Sequence, residues 1–376
     1  MQSPPLILVV DDNPAALEIL AARLSAGGYQ VLTASDGEEG LTLARKVLPD
    51  LVLLDIMMPK LDGIEVCRRL KTDPALPFLP IIMVTARTDA KDIVAGLEAG
   101  SDEYLTKPVD HAALMARVKS MLRIKALQDT VMAQSAKLKT QLKTAAKIQS
   151  LFWPEIPELG GGSHIWAISR PAAYVGGDLY DVIRLPDGSV LAYVADVSGK
   201  GVPAALIMAA LSALIRSAAM QKCEIDLLLA AINNTVYDLA SEEGFFATIV
   251  LSRFWPSNGG MQLASAGHLP PVCVAGHGGQ EISLPKSIAI GVTPDARYDK
   301  TETRLAHGES VLFFSDGVIE AENEEKERFG IERILSHMEG AGGPPWGEGL
   351  LHSVSRWRGD AAANDDITVL EIWRDH

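Results

Sequence analysis

Five short apolar runs, each separated from the next by a stretch with helical periodicity, occupy the first 122 residues. They are Leu6–Val10, Val31–Ala34, Leu51–Ile56, Ile81–Thr85 and Glu103–Thr106, with amphipathic segments such as Ala15–Leu24 and Gly40–Leu48 between them. Short strands alternating with helices point to a doubly wound parallel sheet. That architecture also dictates where chemistry can occur, because residues at the carboxyl ends of parallel strands converge on one edge. Here those ends carry Asp11-Asp12, Asp55, Thr85 and, after Tyr104-Leu105, Thr106-Lys107-Pro108. Three carboxylates brought together are costly unless a hard cation neutralises them, and oxygen ligands of this charge suit Mg2+. Asp55 is then placed as a nucleophile for phosphoryl transfer, with Lys107 and Thr85 holding the phosphoryl oxygens. One aspartate at a strand end is usually a cap; four strand ends supplying suitable groups together argue against that reading.

Charge divides the 376-residue chain into three parts, with net charges of −5 over residues 1–122, +5 over 123–150 and −14 over 151–376. The total of −14 argues against broad contact with nucleic acid or an anionic membrane surface. Cys67, Cys223 and Cys273 are odd in number and far apart, which fits thiols in a reducing cytoplasm and excludes a disulfide framework. The N-terminal apolar run is too short for a signal peptide, and the weakly polar stretch Val202–Ile215 is too short to cross a membrane.

The middle part lacks Pro and Gly. Ile124, Leu127, Val131, Gln134, Leu138, Gln141, Ala145, Ile148 and Phe152 alternate at spacings of three and four, the seam of a coiled coil about four heptads long. Its two glutamines and one alanine weaken it, and Trp153-Pro154 ends it. A solvated single helix with Lys137, Lys139, Lys143 and Lys147 facing water is the plainer alternative; the apolar seam favours a homodimer. The scarcity of Arg argues against a DNA-binding basic region.

Strand candidates in the last part are Val190–Ala195, Ala247–Phe254, Gly260–Ser265 and Ser310–Ser315, with a turn at 255–260 predicting a hairpin. Val202–Met220 reads as a buried helix and Gly340–Gly347 as a loop. Four acidic signatures accompany them: VGGDLYD (Asp178, Asp181), ADVSGKG (Asp196), FFSDGVIEAEN (Asp316) and NDDIT (Asp365, Asp366). Singly each is an ordinary turn. Carboxylates without His or Cys suit Mg2+ or Mn2+, and two such ions sharing a carboxylate activate a water for in-line attack on phosphorus. Ser198-Gly199-Lys200-Gly201 does not match a phosphate-binding loop, because the preceding glycine is missing and Gly201 replaces Ser or Thr. His268 in SAGHLPP reads as a turn histidine rather than a base.

The motifs VVDD, LLDIMMP with Gly63 following, VTA and YLTKP closely resemble the receiver domain of two-component response regulators, across residues 5–122. The resemblance implies Asp55 as phosphoacceptor and Asp11 and Asp12 as Mg2+ ligands, aided by the Met57 backbone carbonyl. It also implies Tyr104 as the aromatic that swings inward on phosphorylation, and a sensor histidine kinase or phosphotransfer protein as donor. The motifs AAKIQSLFWPEIP, VGGDLYD, ADVSGKGVPAALIM, FFATIVL, SAGHLPP, FFSDGVIEAEN with RFG, and DDITVLEI run from about Ala145 to Trp373. They resemble the SpoIIE-like branch of the PPM family, the metal-dependent Ser/Thr phosphatases. That resemblance implies Asp178, Asp196, Asp316 and Asp365 as ligands of two Mn2+ or Mg2+ ions, with the backbone carbonyl of Val197. Asp181 and Asp366 carry no firm role. Ser315 stands where Thr is usual, Ala195 where Gly is usual, and Ile288-Ala289-Ile290-Gly291 where a Pro-Leu-Gly pattern is usual; none of these removes a ligand. The branch lacks the phosphate-gripping arginine of the larger family, and the sequence offers no obvious substitute.

The expectation is an α/β protein in three parts: a receiver domain over 1–122, a helical coiled-coil linker over 123–152 and an α/β layered phosphatase domain over 153–376. Phosphorylation of Asp55 would act through the linker on a cytoplasmic phosphatase. Relatives suggest a phosphorylated anti-sigma-factor antagonist as substrate, in a stress response. The architecture also resembles RssB-type regulators, so the rival is an adaptor that binds a sigma factor and directs it to proteolysis. The intact aspartate set favours the enzyme.

Overall fold

The computed structural model describes residues 4–85, 90–221, 224–240, 242–276, 278–339 and 343–375. Cys223 and Gly340–Gly342 lie outside the described residues. Two compact units divide the chain, Met1–Lys139 and Thr140–His376.

The first unit runs β1 (Leu6–Val10), α1 (Pro14–Ala26), β2 (Gln30–Ala34), α2 (Gly37–Val47), β3 (Leu51–Asp55), α3 (Gly63–Lys71), β4 (Ile81–Thr85), α4 (Ala90–Glu98), β5 (Glu103–Thr106) and the start of α5 (His111–Gln149). The five strands form one parallel sheet in the order β2-β1-β3-β4-β5. Successive residues of a strand face opposite sides of a sheet, so a sheet covered on both faces needs continuous apolar runs. Accordingly Leu8, Val10, Val52 and Leu54 enter one core and Ile7, Val9, Leu51 and Leu53 the other. Asn13 and Asp62 accept from backbone amides in the first turns of α1 and α3 and fix where those helices begin.

Helix α5 has 39 residues and is unbroken at 122/123, where the sequence suggested a change of domain. Leu114, Val118, Met121 and Leu122 bury its first turns in the core of the first unit. Lys125 is nearly buried and donates to the Phe78 carbonyl at 2.9 Å and to Asp129 at 3.2 Å. Beyond that point Leu127, Val131 and Leu138 are more than half exposed.

The second unit continues with β6 (Ser163–Arg170), β7 (Leu179–Arg184), β8 (Val190–Val197), α6 (Val202–Ala219), α7 (Ile225–Ala240), β9 (Ala247–Trp255), β10 (Gly260–Ala266), β11 (Val272–Ala275), β12 (Gly278–Glu281), β13 (Lys300–Arg304), β14 (Ser310–Phe314), α8 (Asp316–Ile319), α9 (Gly330–Met338), α10 (Trp346–Arg358) and β15 (Ile367–Arg374). Two antiparallel sheets form, β13-β10-β9-β8-β7 and β12-β11-β14-β15-β6. Their facing sides share a core that includes Val194, Val250 and Phe254 with Phe313 and Leu370. The outer side of the first sheet packs on α6 and α7, and that of the second on α8, α9 and α10. The result is a four-layer α/β sandwich, with the expected hairpin joining β9 to β10.

Two sequence expectations change here. Helix α6 is not wholly buried: Ala204, Met208, Leu211 and Ile215 face the core while Val202 and Leu206 are exposed. Its 18 residues, Val202–Ala219, match the expected helix to within one residue, but its apolar length exceeds the Val202–Ile215 stretch, and by length and composition alone it would pass as a membrane span. The stretch ending at Gly347 is not all loop, because α10 begins at Trp346, where the buried Glu371 carboxylate accepts from the Gly347 amide at 2.8 Å.

Candidate functional sites

In the first unit, Asp11 and Asp12 follow β1, Asp55 ends β3, Thr85 ends β4 and Lys107 follows β5. One oxygen from each of Asp11, Asp12 and Asp55 lies within 4.8 Å of the others, a spacing one cation bridges. The Lys107 ammonium is 2.7 Å from Asp11 Oδ2 and 3.1 Å from Asp55 Oδ2. Burial pushes the Asp55 carboxyl above its ordinary pKa, and Lys107 opposes it. Burial would depress Lys107, yet its bonds to Asp11 and Asp55 raise it. Thr85 is buried, and its backbone carbonyl accepts from the Lys107 amide at 2.7 Å. Met57 is exposed in the loop after β3. Tyr104 is half-buried on β5, with the Arg117 guanidinium 5.8 Å from its ring centre.

In the second unit the acidic signatures sit at one edge of the sandwich. Asp178 precedes β7, Asp196 lies near the end of β8, Asp316 opens α8 after β14, and Asp365 precedes β15. Among the described residues they do not come as close together as the Asp11, Asp12 and Asp55 oxygens. Asp178 is raised well above the usual carboxylate range by burial and then by Asp196, while Ser315 and Thr368 oppose this. Asp196 is pushed up to about 7 by burial and by Asp316 and Asp365. Asp316 is raised by burial and by Asp365. Asp178 Oδ2 is buried without a hydrogen-bond partner. A buried carboxylate oxygen with no donor carries a desolvation cost that a bound cation removes. An all-oxygen donor set with one unsatisfied buried oxygen fits Mg2+ or Mn2+.

Asp366 has a different task. Its carboxylate accepts from the amides of Ala172 and Gly177, each at 2.8 Å, and so holds the segment that presents Asp178. Gly176 and Gly317 are what permit that approach. A Cβ on Gly176 would lie 2.0 Å from Asp366 Oδ2, and one on Gly317 would lie 1.9 Å from the Asp366 carbonyl. The same segment is held by the end of α5. The Gln149 amide donates to the Gly176 carbonyl at 2.7 Å and accepts from its amide at 3.2 Å, a buried two-way contact.

Asp181 does not join the cluster. It is fully buried on the α6 side of the sheet, 2.6 Å from Arg216. His268 bridges the two sheets: Nε2 donates to the Phe314 carbonyl at 3.1 Å, so Nδ1 accepts from the Thr248 hydroxyl at 2.8 Å. Thr248 is the register partner of Asp196, and Phe314 lies two residues before Asp316. The lone SAGHLPP motif gave no hint of this strut, nor AAKIQ of the role of Gln149.

A family model described as Stage II sporulation protein E (SpoIIE) matches residues 186–375, and one described as Response regulator receiver domain matches residues 7–119. Response regulator PleD of Caulobacter vibrioides is 45% identical over 130 residues, covering 35% of this chain and 29% of PleD. The alkaline phosphatase synthesis transcriptional regulatory protein PhoP of Bacillus subtilis is 50% identical over 117 residues, 31% of this chain and 48% of PhoP. The chain thus spans less than half the length of these curated relatives. Among solved structures, the SiaA-PP2C domain of Pseudomonas aeruginosa is similar with a TM-score of 0.56 at 24% identity, covering 65% of this chain and 99% of that one. The RsbU and RsbW domains of Rv1364c from Mycobacterium tuberculosis are similar with a TM-score of 0.50 at 23% identity, covering 59% and 62%. At these identities the likeness concerns the fold.

Proposed function

Because the chain belongs to the Stage II sporulation protein E (SpoIIE) family and carries a response regulator receiver domain ahead of that match, we propose that phosphorylation of Asp55 controls a metal-dependent protein-serine/threonine phosphatase. The observation that carries this reading is the unsatisfied, buried Asp178 Oδ2 among carboxylates whose pKa values are raised by one another. A pure binding module has no use for such mutual repulsion.

In this reading Asp178, Asp196, Asp316, Asp365 and the Val197 carbonyl would hold two ions. Bound there, Mn2+ or Mg2+ supplies an activated water for attack at phosphorus. The chain's own part is positioning. Asp366 and Gln149 fix the segment bearing Asp178, and His268 braces the strand paired with Asp196 against the strand that leads to Asp316. In the receiver, Asp55 accepts the phosphoryl group from a histidine kinase or phosphotransfer protein, with Asp11, Asp12 and the Met57 carbonyl on Mg2+ and Lys107 and Thr85 on the phosphoryl oxygens. Tyr104 responds to that change. Helix α5 transmits it, and Gln149 at the end of α5 touches the segment that carries a metal ligand. The substrate class we infer is a phosphoserine-bearing anti-sigma-factor antagonist of a cytoplasmic stress pathway.

The test is release of phosphate from a phosphorylated antagonist, with and without Mn2+, by wild type and by Asp316→Asn. Turnover should need Mn2+ and vanish in the variant, whose thermal stability without metal should be unchanged or higher because a repelling charge is gone. A wild type that is inactive in every receiver state yet binds a sigma factor or its antagonist would establish the adaptor instead.

A further inference from the structure

The Ser198–Gly201 segment fits no phosphate-loop pattern in sequence, and the phosphatase reading leaves it without a task. Its placement gives it one. Ser198 pins the loop after β8 by exchanging bonds with Phe246: its amide donates to the Phe246 carbonyl at 2.9 Å, and its hydroxyl accepts from the Phe246 amide at 3.0 Å. Gly199 and Gly201 have φ of +93° and +74°, a region that side chains disfavour, so the chain turns sharply on both sides of the one residue between them. That residue is Lys200. Its side chain is two-thirds exposed, and its ammonium lies 2.8 Å from Asp365 Oδ2 and 2.6 Å from the Asn364 carbonyl.

Lys200 thus brings a cation to one of the clustered carboxylates, Asp365, which is assigned above to a metal ion. The carboxylates of Asp366 and Asp316 also favour its charged form, after Asp365. An ammonium has three N–H donors, and two acceptors account for two of them. An exposed ion pair is weak and easily exchanged, and a flexible four-carbon stem lets the ammonium travel while the loop stays fixed. A divalent cation on Asp365 would repel the ammonium by like charge. The nearest use for it is the doubly negative phosphoryl group that the cluster is built to receive.

We propose that Lys200 is an exchangeable counter-ion: it occupies Asp365 in the metal-free protein, releases it to a divalent cation, and then grips the phosphoryl oxygens of the substrate. This rests on the phosphatase reading for the substrate, but its two halves are measurable without turnover. Isothermal titration of Mn2+ into Lys200→Gln should give binding about two- to fivefold tighter than wild type, the loss of a weak competing ion pair. Titration of inorganic phosphate into the Mn2+-loaded variant should give binding about tenfold weaker, the loss of one charge-assisted hydrogen bond. Lys200→Arg should restore phosphate affinity, and Lys137→Gln, an exposed linker substitution, should change neither value. Unchanged or weaker Mn2+ binding by Lys200→Gln overturns the proposal, and so does unchanged phosphate binding. Hydrolysis of para-nitrophenyl phosphate by the wild type is run beside these titrations. If it fails, the phosphatase reading falls, while the two titrations still decide the role of Lys200.

Discussion

Asp55 and His268 show how differently a single side chain depends on its setting. Asp55 ends a strand and is buried, with a cation 3.1 Å away and two carboxylates beside it, the setting in which we propose that it accepts a phosphoryl group. Acetyl phosphate with Mg2+ should therefore label the wild type, and Asp55→Asn should lose the label in intact-mass spectra; equal labelling would refute the assignment. His268 is half-buried as the neutral ring between the two sheets, and desolvation lowers its pKa to about 4. Above the unfolded value of roughly 6.5 both states are neutral and the ring has no effect on pH dependence. Below it the unfolded chain takes up a proton that the folded one refuses, so stability falls as pH drops from about 6.5 to 4, at up to ~1.4 kcal/mol per pH unit. Urea unfolding at pH 7 and pH 5 should show a smaller loss for His268→Gln than for wild type, although the variant starts about 1–2 kcal/mol lower for want of its two hydrogen bonds. Parallel pH slopes would show that the ring titrates freely.

At the scale of elements, legibility followed burial on both faces. The continuous apolar runs of β1, β3 and β4 announced themselves, and their order gave the sheet and its functional edge. Strand β7 was missed because LYDVIR carries a charge in its middle. Asp181 is tolerated there only because Arg216, two elements later, meets it across the layer. Strand β15 likewise hides the buried Glu371, whose partner is the first turn of α10. Such pairings are long-range and leave no local pattern. The Lys200 contact was unreadable for the same reason, since Asn364 and Asp365 arrive from the far end of the chain. Helix α5 is the element whose sequence and structure pose the next question, because Leu127, Val131 and Leu138 form an exposed seam. An apolar stripe at heptad spacing gains stability by pairing with another. Light scattering of the full chain should report a dimer, and replacing these three residues with Glu should give monomers; an unchanged mass, or a wild type that is monomeric throughout, removes the coiled coil from the account.

For the whole molecule, the consequence lies in α5 being one uninterrupted helix from His111 to Gln149. A helix keeps angular phase: each added residue turns everything beyond it by about 100°. Lys125 sets the phase at one end by its bond to Phe78, and Gln149 sets it at the other by its bonds to Gly176. If a signal passes along this helix by rotation, the linker acts as a shaft whose permitted lengths come in steps. Seven residues inserted after Gln134 return the seam and Gln149 to nearly the same bearing, and two residues turn them to the opposite side. Acetyl-phosphate-dependent change in phosphatase rate should survive the first insertion and be lost in the second, with both variants retaining the wild-type helical content by circular dichroism. Equal control in the two would mean that the signal passes without regard to rotation. If it holds, homologous chains that join these two kinds of domain by an unbroken helix should differ in linker length chiefly by multiples of seven, however freely the residues themselves have drifted.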